Sequence, residues 1–211
     1  MQAVHVTTAF ANGLFMSLVL IVAIGAQNAY VLRQGLRREH VGAVVLFCAA
    51  SDAVLIGAGV AGMAQALKGR PMLATVLAAL GAAFLCGYGL KALWRSRQPA
   101  ALRATAQGVS MSRAAVVAQA AGFTLLNPHV YLDTVLLVGS AGAQYAGLLK
   151  VWFVAGATVA SVLWFTSLGF GARLLAPVFA RPRAWQMLDA LVGGTMLVLA
   201  AMLARRAVLG G

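Results

Sequence analysis

The sequence predicts an all-α integral membrane protein: six transmembrane helices in two inverted three-helix repeats, with broken helices at spans 1 and 4. Three observations carry that reading. Of 211 residues, 62% are hydrophobic and only 9% charged, and the mean hydropathy is +0.90, far above a soluble domain of this size. The apolar residues fall into six runs, each near or above the ~20 residues that cross ~30 Å of hydrocarbon. Two of those runs contain polar, helix-breaking steps that a lipid-facing helix would not tolerate.

Span 1 covers residues 9–32 and carries the polar step Gly25-Ala26-Gln27-Asn28, closed by Arg33, Arg37 and Arg38. No Lys or Arg precedes it, which argues for a retained span rather than a cleaved signal. Span 2, residues 41–67, places Asp52 near its centre, with Gly57, Gly59 and Gly62 following. Small residues at four-residue spacing, as in Gly57 with Ala61 and Ala58 with Gly62, are how helices approach closely in lipid. Span 3, residues 72–93, leads into a basic connection over 94–113 with Arg95, Arg97, Arg103 and Arg113. Span 4 runs from 114 to 145, too long for one straight crossing. Spans 5 and 6 cover residues 151–176 and 184–203. Trp94, Trp152 and Trp185 sit near span ends, where interface anchors belong.

The break in span 4 is Leu126-Asn127-Pro128-His129-Val130-Tyr131-Leu132-Asp133. Pro128 removes an amide donor and disfavours helical dihedrals at Asn127. Backbone groups freed at membrane depth must be buried in protein or line a wet cavity, so the break predicts a cavity. His129, Asp133, Ser140 and Gln144 follow at spacings of four, seven and four, which predicts one polar helix face. Aligning Tyr30 with Tyr131 superposes the two interrupted stretches. With three spans on either side of the basic connection, the chain reads as one transmembrane domain, residues 1–211. Its halves are about 1–93 and 114–211, and an odd number of spans per half inverts one relative to the other.

Chemistry-bearing residues are few. Of the four acidic residues, Asp52 and Asp133 fall inside spans, where a charge costs at least ~2.5–3.5 kcal/mol. No Lys or Arg is expected deep in a span, so a cation must come from outside: a proton, a metal ion or an organic ammonium. The absence of a Cys or His cluster argues against a transition-metal site, and Cys48 and Cys86 read as buried thiols. Asp189, near the start of span 6 beside Arg181 and Arg183, reads as half of an interfacial ion pair. Glu39 lies beside Arg37 and Arg38 and reads as solvated. Gln27, Asn28, Asn127 and the first amides of a re-started helix suit a carboxylate, because helix N-termini attract anions. A site with both signs suits a cationic amino acid.

These residues resemble the LysE family of amino-acid exporters, in its lysine and arginine branch, over nearly the whole chain. The resemblance is carried by Gly25-Ala26-Gln27-Asn28-Ala29-Tyr30-Val31-Leu32-Arg33-Gln34-Gly35, by Ser51-Asp52 and by Asn127-Pro128-His129-Val130-Tyr131-Leu132-Asp133-Thr134. It implies export of L-arginine or L-lysine across the bacterial inner membrane, driven by the membrane potential or a proton gradient, with the aspartate pair at the centre. Gly25-Ala26, where neutral amino-acid branches carry Gly-Pro, fits the basic branch. The expected binding residues are Asp52, Asp133, Gln27, Asn28, Asn127, His129 and Tyr131, with Gly25 and Pro128 at the helix breaks. The expected partners are a basic amino acid, protons by antiport and the lipid bilayer. No cofactor, metal or nucleic acid is expected.

Three other readings remain. One is an exporter of neutral amino acids. Another is a membrane-embedded enzyme in which two aspartates share a proton and activate water, although no Gly-x-Gly-Asp surrounds either residue. The third is a structural or assembly subunit, for which replacing the aspartates would leave the phenotype intact. Basic residues set the expected orientation: eleven lie on the connections between spans 1–2, 3–4 and 5–6, against Lys68, Arg70, Lys150, Arg205 and Arg206 on the other side. The eleven are expected in the cytoplasm and both termini in the periplasm.

Overall fold

The computed structural model describes residues 2–22, 26–63, 71–97, 111–127, 130–179 and 181–209, and within them every regular element is helical. Helix α1 spans Gln2–Ile21 and α2 spans Ala26–Arg37, so the first predicted span is two helices. A tight reversal at Arg38 and His40, both at positive φ, starts α3 (Val41–Ala58), which continues into a π-helical turn at Gly59–Met63. Helix α4 spans Pro71–Ser96. The fourth predicted span is α5 (Arg113–Leu125), a break, a π-helical segment (Tyr131–Val138) and the short α6 (Gly139–Ala143). Helix α7 (Leu148–Gly171) runs through a 3-10 turn (Ala172–Leu175) into α8 (Ala176–Phe179), and α9 spans Pro182–Leu209.

Four stretches among the described residues are long and apolar enough to cross a membrane: Val4–Ile21, Val41–Gly62, Leu148–Leu175 and Pro182–Arg205, beside a shorter apolar helix at Asp133–Ala143. They carry exposed Phe15, Val19, Leu46, Val54, Leu163, Met187, Leu191 and Val198. Those side chains have no place in water but suit hydrocarbon, while the helices satisfy their own backbone groups.

Inside, α4 packs along α9, α1 along α7, and α3 between α5 and α7. Tyr30, Phe84 and Tyr88 surround the ring of Phe123 at centroid distances of 4.9, 5.1 and 4.5 Å, tying α2, α4 and α5 together. The close contact predicted at Gly57 and Gly62 falls instead at Gly59. A methyl on Gly59 would stand 2.6 Å from the Val135 carbonyl oxygen, and one on Gly139 would stand 2.7 Å from the Gly59 Cα, whereas a methyl on Gly57 or Gly62 would meet nothing within 4 Å among the described residues. Periodicity alone picks out small residues; the neighbouring helix decides which of them is crossed. Gly62 has φ 105, where glycine accommodates the kink that ends the turn.

The polar face predicted for His129, Asp133, Ser140 and Gln144 does not form as one line. The Tyr131–Val138 segment is π-helical, and i→i+5 bonding rotates later residues away from the α-helical register. Asp133 faces one cavity and Gln144 another. Ser140 lines neither, and its hydroxyl donates to the Leu137 carbonyl. His129, like Pro128 and Gly25, lies outside the described residues.

Candidate functional site at the two helix breaks

Each break leaves the last carbonyls of a helix without an amide partner, and in each a side chain from the helix that follows supplies one. The Asn28 amide donates to the Ile21 carbonyl at 2.6 Å, and the Tyr131 hydroxyl donates to the Leu125 carbonyl at 2.8 Å. Backbone carbonyls at both interruptions are thereby satisfied within the fold. Tyr131, expected to bind substrate, does not line the cavity and holds the break together.

Between the breaks lies a cavity of about 220 Å³. Gln27 and Asn28 reach it from α2, Asp52 from α3, Asn127 from the second break, and Asp133 and Thr134 from the π-helical segment. Ser17 of α1 and Thr195 of α9 complete its polar lining. Five of the predicted binding residues, separated by up to 106 positions from Gln27 to Asp133, thus meet in one space.

Asp52 is 5% exposed and accepts a hydrogen bond on Oδ2 from the Ser161 hydroxyl of α7 at 2.8 Å. Among the described residues it makes no ion pair. One turn along α7, the Trp164 indole N–H donates to Asn28 Oδ1 at 3.2 Å. Helix α7 therefore fixes both a carboxylate and an amide of the site, although it contributes no lining residue. The amide nitrogen of buried Gln27 has no oxygen acceptor among the described residues. Thr134 has its hydroxyl on the Val130 carbonyl of its own helix. The arrangement can hold a cation against its carboxylates and an anion against Gln27 and the first turn of α2.

Sequence reasoning missed Ser161, Trp164, Ser17 and Thr195. Hydroxyls in apolar helices commonly bond their own backbone, so spacing gives no signal that separates Ser161 from such a residue. The ion pair expected at Asp189 forms, but buried and with other partners. That residue is 0% exposed, and its partners are Arg33 of α2 and Arg95 of α4 rather than Arg181 or Arg183. Arg33, at the end of the first predicted span, is itself 4% exposed. Helix packing turns it inward, towards a carboxylate 156 residues away. Glu39, expected in solvent, is half-buried and paired with Arg37 at 3.1 Å.

A family model described as LysE type translocator matches residues 18–207. A protein of Mycobacterium tuberculosis H37Rv described as "Putative amino-acid transporter Rv0488" is 47% identical over 180 residues, 85% of this chain and 89% of that one. A Mycobacterium bovis protein described as "Putative amino-acid transporter Mb0498" matches to the same extent. Aeromonas salmonicida "Putative amino-acid transporter YggA" is 44% identical over 201 residues, 94% of this chain and 96% of that one. No solved structure matches the chain.

Proposed function

This chain belongs to the LysE translocator family, and from that premise we propose that it is a secondary exporter of L-arginine or L-lysine across a bacterial inner membrane. Family membership makes it a transporter and not an enzyme, which removes the reading of an aspartate pair hydrolysing bonds. The observation that carries the proposal is that Asp52 and Asp133 share one cavity with the amides of Gln27, Asn28 and Asn127. The guanidinium or ammonium of the side chain sits between the carboxylates. The substrate carboxylate takes the Gln27 amide nitrogen and the N-terminal turn of α2.

Charge balance then couples the cycle. Desolvation disfavours a charged carboxylate, and a cation beside it favours one. Arrival of substrate releases a proton from the carboxylates towards the cytoplasm, and its departure outside lets them take one from the periplasm, so cation leaves as proton enters.

The architecture we propose is the six-helix inverted repeat, halves about 1–93 and 114–211 joined by the basic connection 94–113. Matching glycine crossings support it. A methyl at Gly35 of α2 would collide with the Gly169 carbonyl of α7, as Gly139 of α6 meets Gly59 beyond α3. In each half, the later part of the broken helix crosses the far end of the second helix of the other half. The eleven basic residues on one side set the cytoplasmic face.

An apolar chamber of about 340 Å³, lined by Leu32, Trp164, Leu188 and Val192, adjoins the cavity at Asn28 and Thr195, and it favours a second reading, export of neutral amino acids. Counterflow of labelled arginine, lysine and leucine into liposomes holding the purified protein, at several pH values, separates the two. Arginine and lysine are expected to accumulate and leucine not; leucine alone would overturn the basic substrate.

A further inference from the structure

The cavities form a series. The polar cavity shares Asn28 and Thr195 with the apolar chamber, and the chamber reaches Leu32 and Leu188, the chain neighbours of Arg33 and Asp189. In the other direction Ser17 and Val138 of the polar cavity are followed by Asn12, Met16, Ala141 and Gln144, which line a third cavity. Arg33 lies five residues beyond Asn28, and Asp189 lies six before Thr195, so the ion cluster stands ~7.5–9 Å from the polar cavity along both helices. It stands on the side of the α2–α3 turn, where His40 Nε2 meets the Met111 carbonyl at 3.0 Å beside exposed Arg38 and Arg113.

The cluster is not built for stability alone. Two guanidiniums share one oxygen of Asp189, while Asp189 Oδ2 and Arg95 Nε have no hydrogen-bond partner among the described residues. A buried ion pair kept only for strength would be expected to satisfy those atoms. The two partners also differ mechanically. Arg95 and Asp189 belong to α4 and α9, which pack along each other closely enough that a methyl on Gly193 would stand 2.9 Å from the Gly89 carbonyl oxygen. Arg33 belongs to α2, whose contact with α9 is narrow. Separating α2 from the α4–α9 pair breaks the Arg33 bond and leaves Arg95, now at 3.4 Å, in place.

We propose that Arg33, Asp189 and Arg95 form an ion-pair latch closing the basic side of the transport route, and that Asp189 passes from Arg33 to Arg95 when the latch opens. The standby arginine keeps the buried carboxylate paired throughout, so opening strands no negative charge in a dry bundle. Freed Arg33 extends its head to the water on the basic face. The latch rests on the reading that the polar cavity is the transport site, but not on which amino acid is carried.

The test is side-specific labelling of Thr195→Cys by a membrane-impermeant maleimide in reconstituted vesicles, with Cys48 and Cys86 replaced by Ala. Exposed Arg97→Cys marks the basic face. Arg33→Gln leaves Asp189 paired with Arg95, so the variant folds, and it should raise labelling from the basic face about tenfold. Arg33→Lys should restore parental protection, and Arg95→Met should lower labelling below the parental rate by removing the standby partner. Parental labelling in Arg33→Gln, or in Arg95→Met, would overturn the latch, because a merely structural bridge changes the amount of protein and not the side from which it is reached. Labelling that responds as expected, beside a parental protein with Thr195, Cys48, Cys86 and Arg33 intact that shows no arginine or lysine counterflow, would instead overturn the proposed substrate and leave the latch standing.

Discussion

Two buried aspartates in this molecule have opposite surroundings. Asp52 faces a cavity, and the group that hydrogen-bonds its carboxylate is a neutral hydroxyl, Ser161. Asp189 is enclosed by two arginines and lines none of the described cavities. A buried carboxylate must find a counter-charge or a proton. Asp189 finds its cation within the fold, and helices are held together there. Asp52 finds none among the described residues, and the space beside it is open to a cation that comes and goes. The same residue type therefore holds structure in one place and waits for cargo in the other.

Exchanging charge for shape should break that contrast most sharply. Asp52→Asn and Asp133→Asn keep the outline of the side chain but cannot ionise, and each is expected to abolish arginine and lysine export while the protein reaches the membrane in parental amount. Export at the parental rate by both variants, in cells lacking other exporters, would remove the aspartates from the mechanism. Asp189→Ala should do the reverse in kind. It leaves two guanidiniums unpaired and should cost ~3–5 kcal/mol of stability, read as a lowered unfolding temperature in detergent and poor accumulation. Retained stability would show that the arginines find water.

Smaller effects sharpen the comparison. Ser161→Ala removes a hydrogen bond to a carboxylate, worth ~1.5–3 kcal/mol. It is expected to reduce transport at low substrate concentration at least about tenfold, with Ser161→Thr retaining most of it. An unchanged apparent KM would mean that α7 does not orient Asp52. The smallest effect is expected at Tyr131→Phe, which loses the bond to the Leu125 carbonyl. It should lower stability by ~1 kcal/mol and leave substrate preference as it was; altered preference would return Tyr131 to the binding site. Pro128→Ala, at the same break, should insert normally and export poorly.

The sequence by itself determined the class and the expensive positions. Apolar runs, interrupting steps at Gln27-Asn28 and Asn127-Pro128, and carboxylates at 52 and 133 all stand out because the cost of a polar or broken residue in hydrocarbon is a property of the local chain. Gln27, Asn28, Asp52, Asn127 and Asp133 do share a cavity for that reason. Tertiary structure alone decided the rest. Ser161 and Trp164 became supports of the site only because α7 lies against α2 and α3, and nothing in an isolated apolar helix distinguishes a hydroxyl that serves a neighbour from one that serves its own backbone. Gln144, eleven residues along from Asp133, lines a different cavity, and which cavity it reaches depends on the helices packed beside it, which residue spacing does not encode. Arg33 reads in sequence as the charged end of a span. Only the crossing of α2 and α9 buries it against Asp189, since pairing between distant charges depends on which helices meet.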